Sequence, residues 1–152
     1  MDTALEKNKV TMSIRDRIPL FFSQDVETVD TIPPGRFLKG AEKVWRQRYC
    51  LAPEFPLFEG HFPGQPVLPA LGHVLLARSA AERLDGGMMS IESIGQAKFL
   101  SLVEPGAVLD VLMSPSREQD GVWHFQNFCV KDGDAIEAAR IKMTLRPVRQ
   151  NP

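Results

Sequence analysis

Residues 59–84, EGHFPGQPVLPALGHVLLARSAAERL, constrain the fold of this chain more than any other stretch. The first half sets His61 among Pro63, Pro66 and Pro69 and between Gly60 and Gly64. Proline holds φ near about −65° and glycine admits φ > 0, so this spacing predicts a loop of defined path. The second half, residues 70–84, has no proline and one interior glycine and reads as a single helix. Leu71, Val74, Leu75, Ala77, Ala80, Ala81 and Leu84 cover most of its circumference, which predicts a helix buried nearly all round. Asp85-Gly86-Gly87 ends it with glycine where a helix C-terminus favours one. A rigid loop thus presents an imidazole and delivers the chain into a helix start. By composition alone, the loop serves equally well as a proline-rich turn whose histidine only satisfies backbone groups.

The remainder reads as strand. Residues 10–23 form a lead-in with a helical turn, broken by Pro19; residues 24–32 form a strand ended by Pro33-Pro34-Gly35. Residues 36–50 read as one longer strand with an irregularity at Gly40, Trp45, Gln47 and Tyr49 on one side, Val44, Arg46, Arg48 and Cys50 on the other. Residues 91–99, 100–104, 107–113, 122–130 and 135–145 follow as strands, with Lys131-Asp132-Gly133-Asp134 as a hairpin signal. One buried helix and an antiparallel meander predict an α+β fold, the sheet wrapped around the helix, in one domain over residues 1–152 with residues 1–9 disordered.

Eighteen Lys and Arg against nineteen Asp and Glu leave a net charge of −1, which argues against a general nucleic-acid binder. No apolar run reaches the roughly 18 residues of a membrane span, and residues 1–11 lack the apolar core of a signal peptide. A reducing, cytoplasmic setting is the expectation, with Cys50 and Cys129 as buried thiols rather than a disulfide. His61, His73 and His124 are too scattered to argue a metal site. His124, in a strand, reads as structural, and Trp45, Trp123, Phe125 and Phe128 as core or interface aromatics.

Residues 60–69, GHFPGQPVLP, closely resemble the signature of the FabA/FabZ-type 3-hydroxyacyl-(acyl-carrier-protein) dehydratases, which have the hotdog fold. The likeness extends through Ala97-Lys98-Phe99 and Val103-Glu104-Pro105-Gly106, with Ala107 where that family has an acid, to the closing strands, and covers roughly residues 18–147. It implies syn elimination of water from a 3-hydroxyacyl thioester in fatty acid, polyketide or other secondary-metabolite synthesis. His61 then matches the base, and Ala70 and Gly64 fall where the thioester oxygen is bound. The resemblance implies no cofactor of the protein's own, the acyl chain being carried on the phosphopantetheine of acyl carrier protein or CoA. It also implies a dimer whose partner helix supplies an acid fourteen positions after the histidine. Here that position is Leu75.

None of Leu71, Gly72, Arg78 and Ser79, the helical neighbours of Leu75, is an acid, although Ser79 could hold a water. His73 lies about 200° round the helix from Leu75 and Glu82 about 10 Å further along it. Three functions remain open: a dehydratase-like lyase with an unusual site, a half-site subunit paired with an acid-bearing paralogue, and an acyl thioesterase. A subset of Arg46, Arg48, Arg78, Arg83, Arg140, Lys142 and Arg146 is expected to meet an acidic carrier protein.

Overall fold

The computed structural model describes residues 13–30, 37–38, 40–59 and 64–149. In chain order the elements are α1 (Ile14–Arg17), a 3-10 turn (Ile18–Phe21), β1 (Glu27–Thr28), β2 (Trp45–Leu51), a second 3-10 turn (Pro56–Phe58), α2 (Ala70–Asp85), β3 (Met89–Phe99), β4 (Ala107–Pro115), β5 (Val122–Lys131) and β6 (Asp134–Pro147). The six strands make one sheet in the order β1-β2-β4-β5-β6-β3, every pairing antiparallel. The sheet packs around α2 in the α+β hotdog arrangement. Among the described residues no helix is long and apolar enough to cross a membrane.

Alternation along the strands decides which face meets α2. On β6, Ala139, Ile141, Met143 and Leu145 are all essentially buried, as their period of two requires. Of these, Ile141, Met143 and Leu145 pack with Tyr49, Leu51, Leu109, Val111, Met113, Trp123 and Phe125 against Val74, Leu76, Ala77, Ala80 and Ala81 of α2. Leu38, Val44, Leu112 and Phe128 form a second, smaller cluster. Of the aromatics expected in core or interface, Trp123, Phe125 and Phe128 are buried and Trp45 is half-buried. β5 and β6 join at Lys131↔Asp134 through Asp132 and Gly133, whose φ values of 51° and 81° give the left-handed two-residue turn that suits twisted strands.

Several expected boundaries shift. The strand expected over 24–32 reduces to Glu27–Thr28, with residues 31–32 outside the described residues. The long strand expected over 36–50 begins only at Trp45; Gly40, at φ 86°, lies in a turn, and Ala41 closes back on the Leu38 carbonyl. Residues 100–104 are not a strand: the Leu100 N–H donates to the Ala138 carbonyl and the Leu68 N–H to the Val103 carbonyl, which ties this segment to the approach to α2. Cys50 and Cys129 are free, as expected, but not buried: Cys50 faces solvent on the outer side of β2 and Cys129 is half-buried. The disorder expected over residues 1–9 lies outside the described residues.

An ion pair between β2 and β4 lies on the outer face of the sheet. Arg48 donates to Asp110 through Nε (2.7 Å) and Nη2 (2.8 Å), and the Asp110 side chain is nearly buried. The Asp110 carboxylate holds the Arg48 guanidinium above its ordinary pKa. Asp110→Ala strands a guanidinium whose carboxylate partner is gone and is expected to cost about 2 kcal/mol in urea unfolding. The double variant Asp110→Leu with Arg48→Met should recover most of that loss, since apolar packing replaces the pair.

Candidate active site

The start of α2 is built by its approach segment. Gly64 has φ 84°, a conformation that side chains with a Cβ rarely adopt, so glycine is required there. Val67 and Leu68 are buried and pin the segment to the core. Pro69, extended at φ −72° and ψ 163°, is the N-cap and has no side chain able to cap. Its carbonyl accepts from the N–H groups of Gly72 (2.9 Å) and His73 (3.4 Å). The Ala70 and Leu71 N–H groups have no acceptor among the described residues. Two such donors at the positive end of a sixteen-residue helix favour an oxygen that carries or develops negative charge.

The surroundings of that helix start are apolar and open. Leu71 is 59% exposed, Phe99 44%, Leu100 47% and Leu102 73%. The helix is therefore not buried all round, as the sequence pattern suggested. Leu71, Leu75, Arg78 and Glu82 form its less covered stripe, while Val74, Leu76, Ala77, Ala80 and Ala81 are buried. The apolar circumference exceeds what one sheet can cover.

His61, with Gly60, Phe62 and Pro63, lies outside the described residues. Ala70 is exposed at the helix start, and Leu75 is half-buried against the main core. Ser79 is nearly buried beside the Tyr49 hydroxyl, which donates to the Leu76 carbonyl at 2.6 Å. Burial pushes the Tyr49 phenol up. Glu82 accepts from the Arg15 guanidinium and from the Met89 N–H (2.7 Å), so it anchors α1 and β3 to the helix rather than serving a site at its other end.

His73 is the residue that sequence reasoning set aside. It points away from the Leu75 stripe, as the helical angle requires, but reaches another polar group. Its Nδ1 lies 3.2 Å from Asn127 Nδ2, on β5, and its ring sits 5.7 Å from the Phe99 ring. His73 is 3% exposed and Asn127 fully buried. Burial pushes the His73 pKa down to about 4, so the ring is neutral near pH 7. Among the described residues, Asn127 Oδ1 has no hydrogen-bond partner. The signal for this pair in the sequence is faint: one polar residue inside a core strand and one imidazole in an apolar helix. His124, on the outer face, stacks edge-on with Phe37 at 5.4 Å and is pushed down in pKa by burial and then by Lys142.

Of the cations considered for a carrier protein, Arg46, Arg48, Arg83, Arg140 and Arg146 are each taken up by carboxylates. Among the described residues, Arg78 and Lys142 have no such partner, and Arg78 Nε is buried without an acceptor. No three His, Cys, Asp or Glu side chains converge among the described residues.

A profile of the ApeI-like family, described as ApeI dehydratase, matches residues 39–139. A 3-hydroxyacyl-(acyl-carrier-protein) dehydratase FabZ of Caulobacter sp. (strain K31) is 30% identical over 59% of this chain, which spans 60% of that relative's length. A FabZ of Geobacter metallireducens is 25% identical over 95% of both chains. Among solved structures, the dehydratase heterocomplex ApeI:P from Xenorhabdus doucetiae superposes with a TM-score of 0.57 and 22% identity, covering 80% of this chain and 98% of that one.

Proposed function

The chain belongs to the ApeI-like dehydratase family, and from that premise we propose that it is a lyase acting on 3-hydroxyacyl thioesters carried by acyl carrier protein or CoA. The observation that carries the proposal is the start of α2. Two N–H groups without an acceptor among the described residues, on Ala70 and Leu71, stand at the end of the histidine-bearing motif, among exposed apolar side chains. A thioester oxygen placed there is polarised while the acyl chain lies against Leu71, Phe99 and Leu102.

In this reading His61 removes a proton from the carbon next to the thioester. The C–H electrons form the new double bond, the bond from C3 to its hydroxyl breaks, and proton and hydroxide leave as water. Leu75 supplies no carboxyl to assist the departing oxygen. The same vacancy favours a second reading, in which this chain contributes the base and an acid-bearing paralogue contributes the other half. The FabZ relatives are named for carrier-protein substrates and the ApeI:P structure for a heterocomplex, which gives both readings precedent. β3, last in the sheet order, is an edge strand among the described residues, and pairing it with a second chain across a two-fold extends the sheet. Of the cations considered, Arg78 and Lys142 are those without a carboxylate partner among the described residues and would meet an acidic carrier or partner.

The deciding assay is hydration of crotonyl-CoA or crotonyl-carrier protein, the reverse reaction. Hydration by the purified chain supports the lyase; release of free thiol instead identifies a thioesterase. Silence alone, with activity regained on adding an acid-bearing paralogue, supports the half-site subunit. Leu75→Glu restores a carboxyl at the vacant position and is expected to raise hydration about tenfold, part of the 10²–10⁴ a positioned acid supplies. An unchanged rate in a folded variant sets position 75 outside the site.

A further inference from the structure

We propose that the outer face of the sheet carries a second binding site, a pocket that takes a flat aromatic carboxylate. The pocket encloses about 350 Å³ between the 37–45 segment and the β4–β5 connection, and Phe37, Trp45, Ser114 and His124 line it. Ligand pockets begin at about 300 Å³, so there is room for a small molecule. Ser114 and His124 alternate with Met113, Trp123 and Phe125, which face α2 in the core, so the pair points to the opposite side of the sheet. The site therefore depends on nothing in the dehydratase reading.

Its floor belongs to a row of three hydrogen-bond donors. Ser114 of β4 stands opposite His124 of β5, and His124 opposite Lys142 of β6. Side chains directly opposite have Cβ atoms about 5 Å apart, near enough for one carboxylate to reach neighbouring members of the row. Ser114 is 6% exposed, yet its hydroxyl makes no hydrogen bond among the described residues, and the same holds for the His124 ring and the Lys142 ammonium. Burial and then Lys142 hold the His124 pKa down, so the ring enters the row neutral, with one N–H to give.

A carboxylate answers all three. It accepts from the hydroxyl and the imidazole, and its charge offsets Lys142 just beyond the pocket. At the rim Glu42 is taken up by Arg117, and the Lys43 ammonium lies 5.2 Å over the Trp45 ring. Among the described residues around the pocket, Lys43 and Lys142 thus outnumber the one unpaired acid, Glu118, and the balance opposes a cationic ligand. The walls choose the rest of the molecule. Phe37 stands edge-on to His124 at 5.4 Å and Trp45 is half-buried, so a flat ring gains more here than a saturated one.

The test is isothermal titration calorimetry on the full-length protein with 2-naphthoate as probe. Beside it run 2-naphthamide, which keeps the ring without the charge, and acetate, which keeps the charge without the ring. 2-Naphthoate is expected to bind at submillimolar concentration, about tenfold more tightly than either, as one charge-assisted hydrogen bond supplies. Ser114→Ala and His124→Phe should each weaken it about tenfold and leave 2-naphthamide unchanged. His124→Gln, which keeps an N–H, should retain most of the affinity. Equal binding of naphthoate and naphthamide overturns the site, as does absence of naphthoate binding at millimolar concentration. Naphthoate binding that is unchanged in Ser114→Ala and His124→Phe also overturns it, placing the ring instead on the apolar side chains at the start of α2.

Discussion

His61→Ala is expected to lower the rate of crotonyl thioester hydration by about 10³-fold, within the 10²–10⁴ that a positioned base supplies. The prediction rests on residue type and place in the chain. Of the three histidines, His61 alone sits in the glycine- and proline-fixed segment that leads to α2. His73 is neutral and tied to Asn127, and His124 stacks on Phe37 on the outer face. Neither of these has a free path to an acidic C–H at the helix start. The loss should appear in kcat rather than KM, because the base acts on the proton in the transition state and adds little to ground-state binding. Unchanged far-UV circular dichroism and melting would confirm that the variant remains folded. A loss below tenfold would mean that another group removes the proton.

The second large effect is on stability and follows from His73. Its pKa of about 4 in the folded protein lies below the ordinary 6.5, because burial opposes the charged ring. Between those values the unfolded chain binds a proton that the folded chain refuses, so stability falls as pH falls. The slope is about 1.4 kcal/mol per pH unit, and the total from pH 6.5 to 4 is about 3 kcal/mol. His124, also pushed down by burial, adds a smaller loss of the same sign.

Glu137 behaves differently. The guanidinium of Arg140 holds its pKa below the usual range, so its contribution is lost only as pH falls through the carboxylate range. The two sources therefore separate by pH. Urea titrations at intervals from pH 7 to 4 should show the slope in the native chain and most of it gone in His73→Gln. An identical slope in both would show that His73 is not the group that refuses the proton.

Much of the fold was legible because its causes are local. Val122–Lys131 and Asp134–Pro147 alternate cleanly and are joined by Asp132-Gly133, a turn whose chemistry is carried by two residues. The helix ended within a residue of expectation, and its N–H at Gly86 closes on the Glu82 carbonyl. The errors share a cause as well. Phe37, Leu38, Ala41 and Val44 are apolar or aromatic and suit a strand, yet they pack with Leu112 and Phe128 instead of extending β2. Propensity cannot distinguish a strand from a cover, because both bury alternate side chains. Cys50 was expected inside on residue type, but the alternation that buries Tyr49 and Leu51 turns it outward.

The site divides the same way. The motif, the missing carboxyl at Leu75 and the N–H groups after Pro69 follow from the chain itself, since residue identity and helix geometry are sequence-local properties. The pairing of His73 with Asn127, fifty-four positions apart, does not. Nor does the engagement of Glu82 by Arg15 and Met89, which removes the one acid on the Leu75 stripe from any role at the helix start. Sequence by itself determined which groups are present and where the helix begins. Only tertiary structure decided which of them are spent on one another, because a hydrogen bond reaches about 3 Å and the sheet order alone brings distant residues that close.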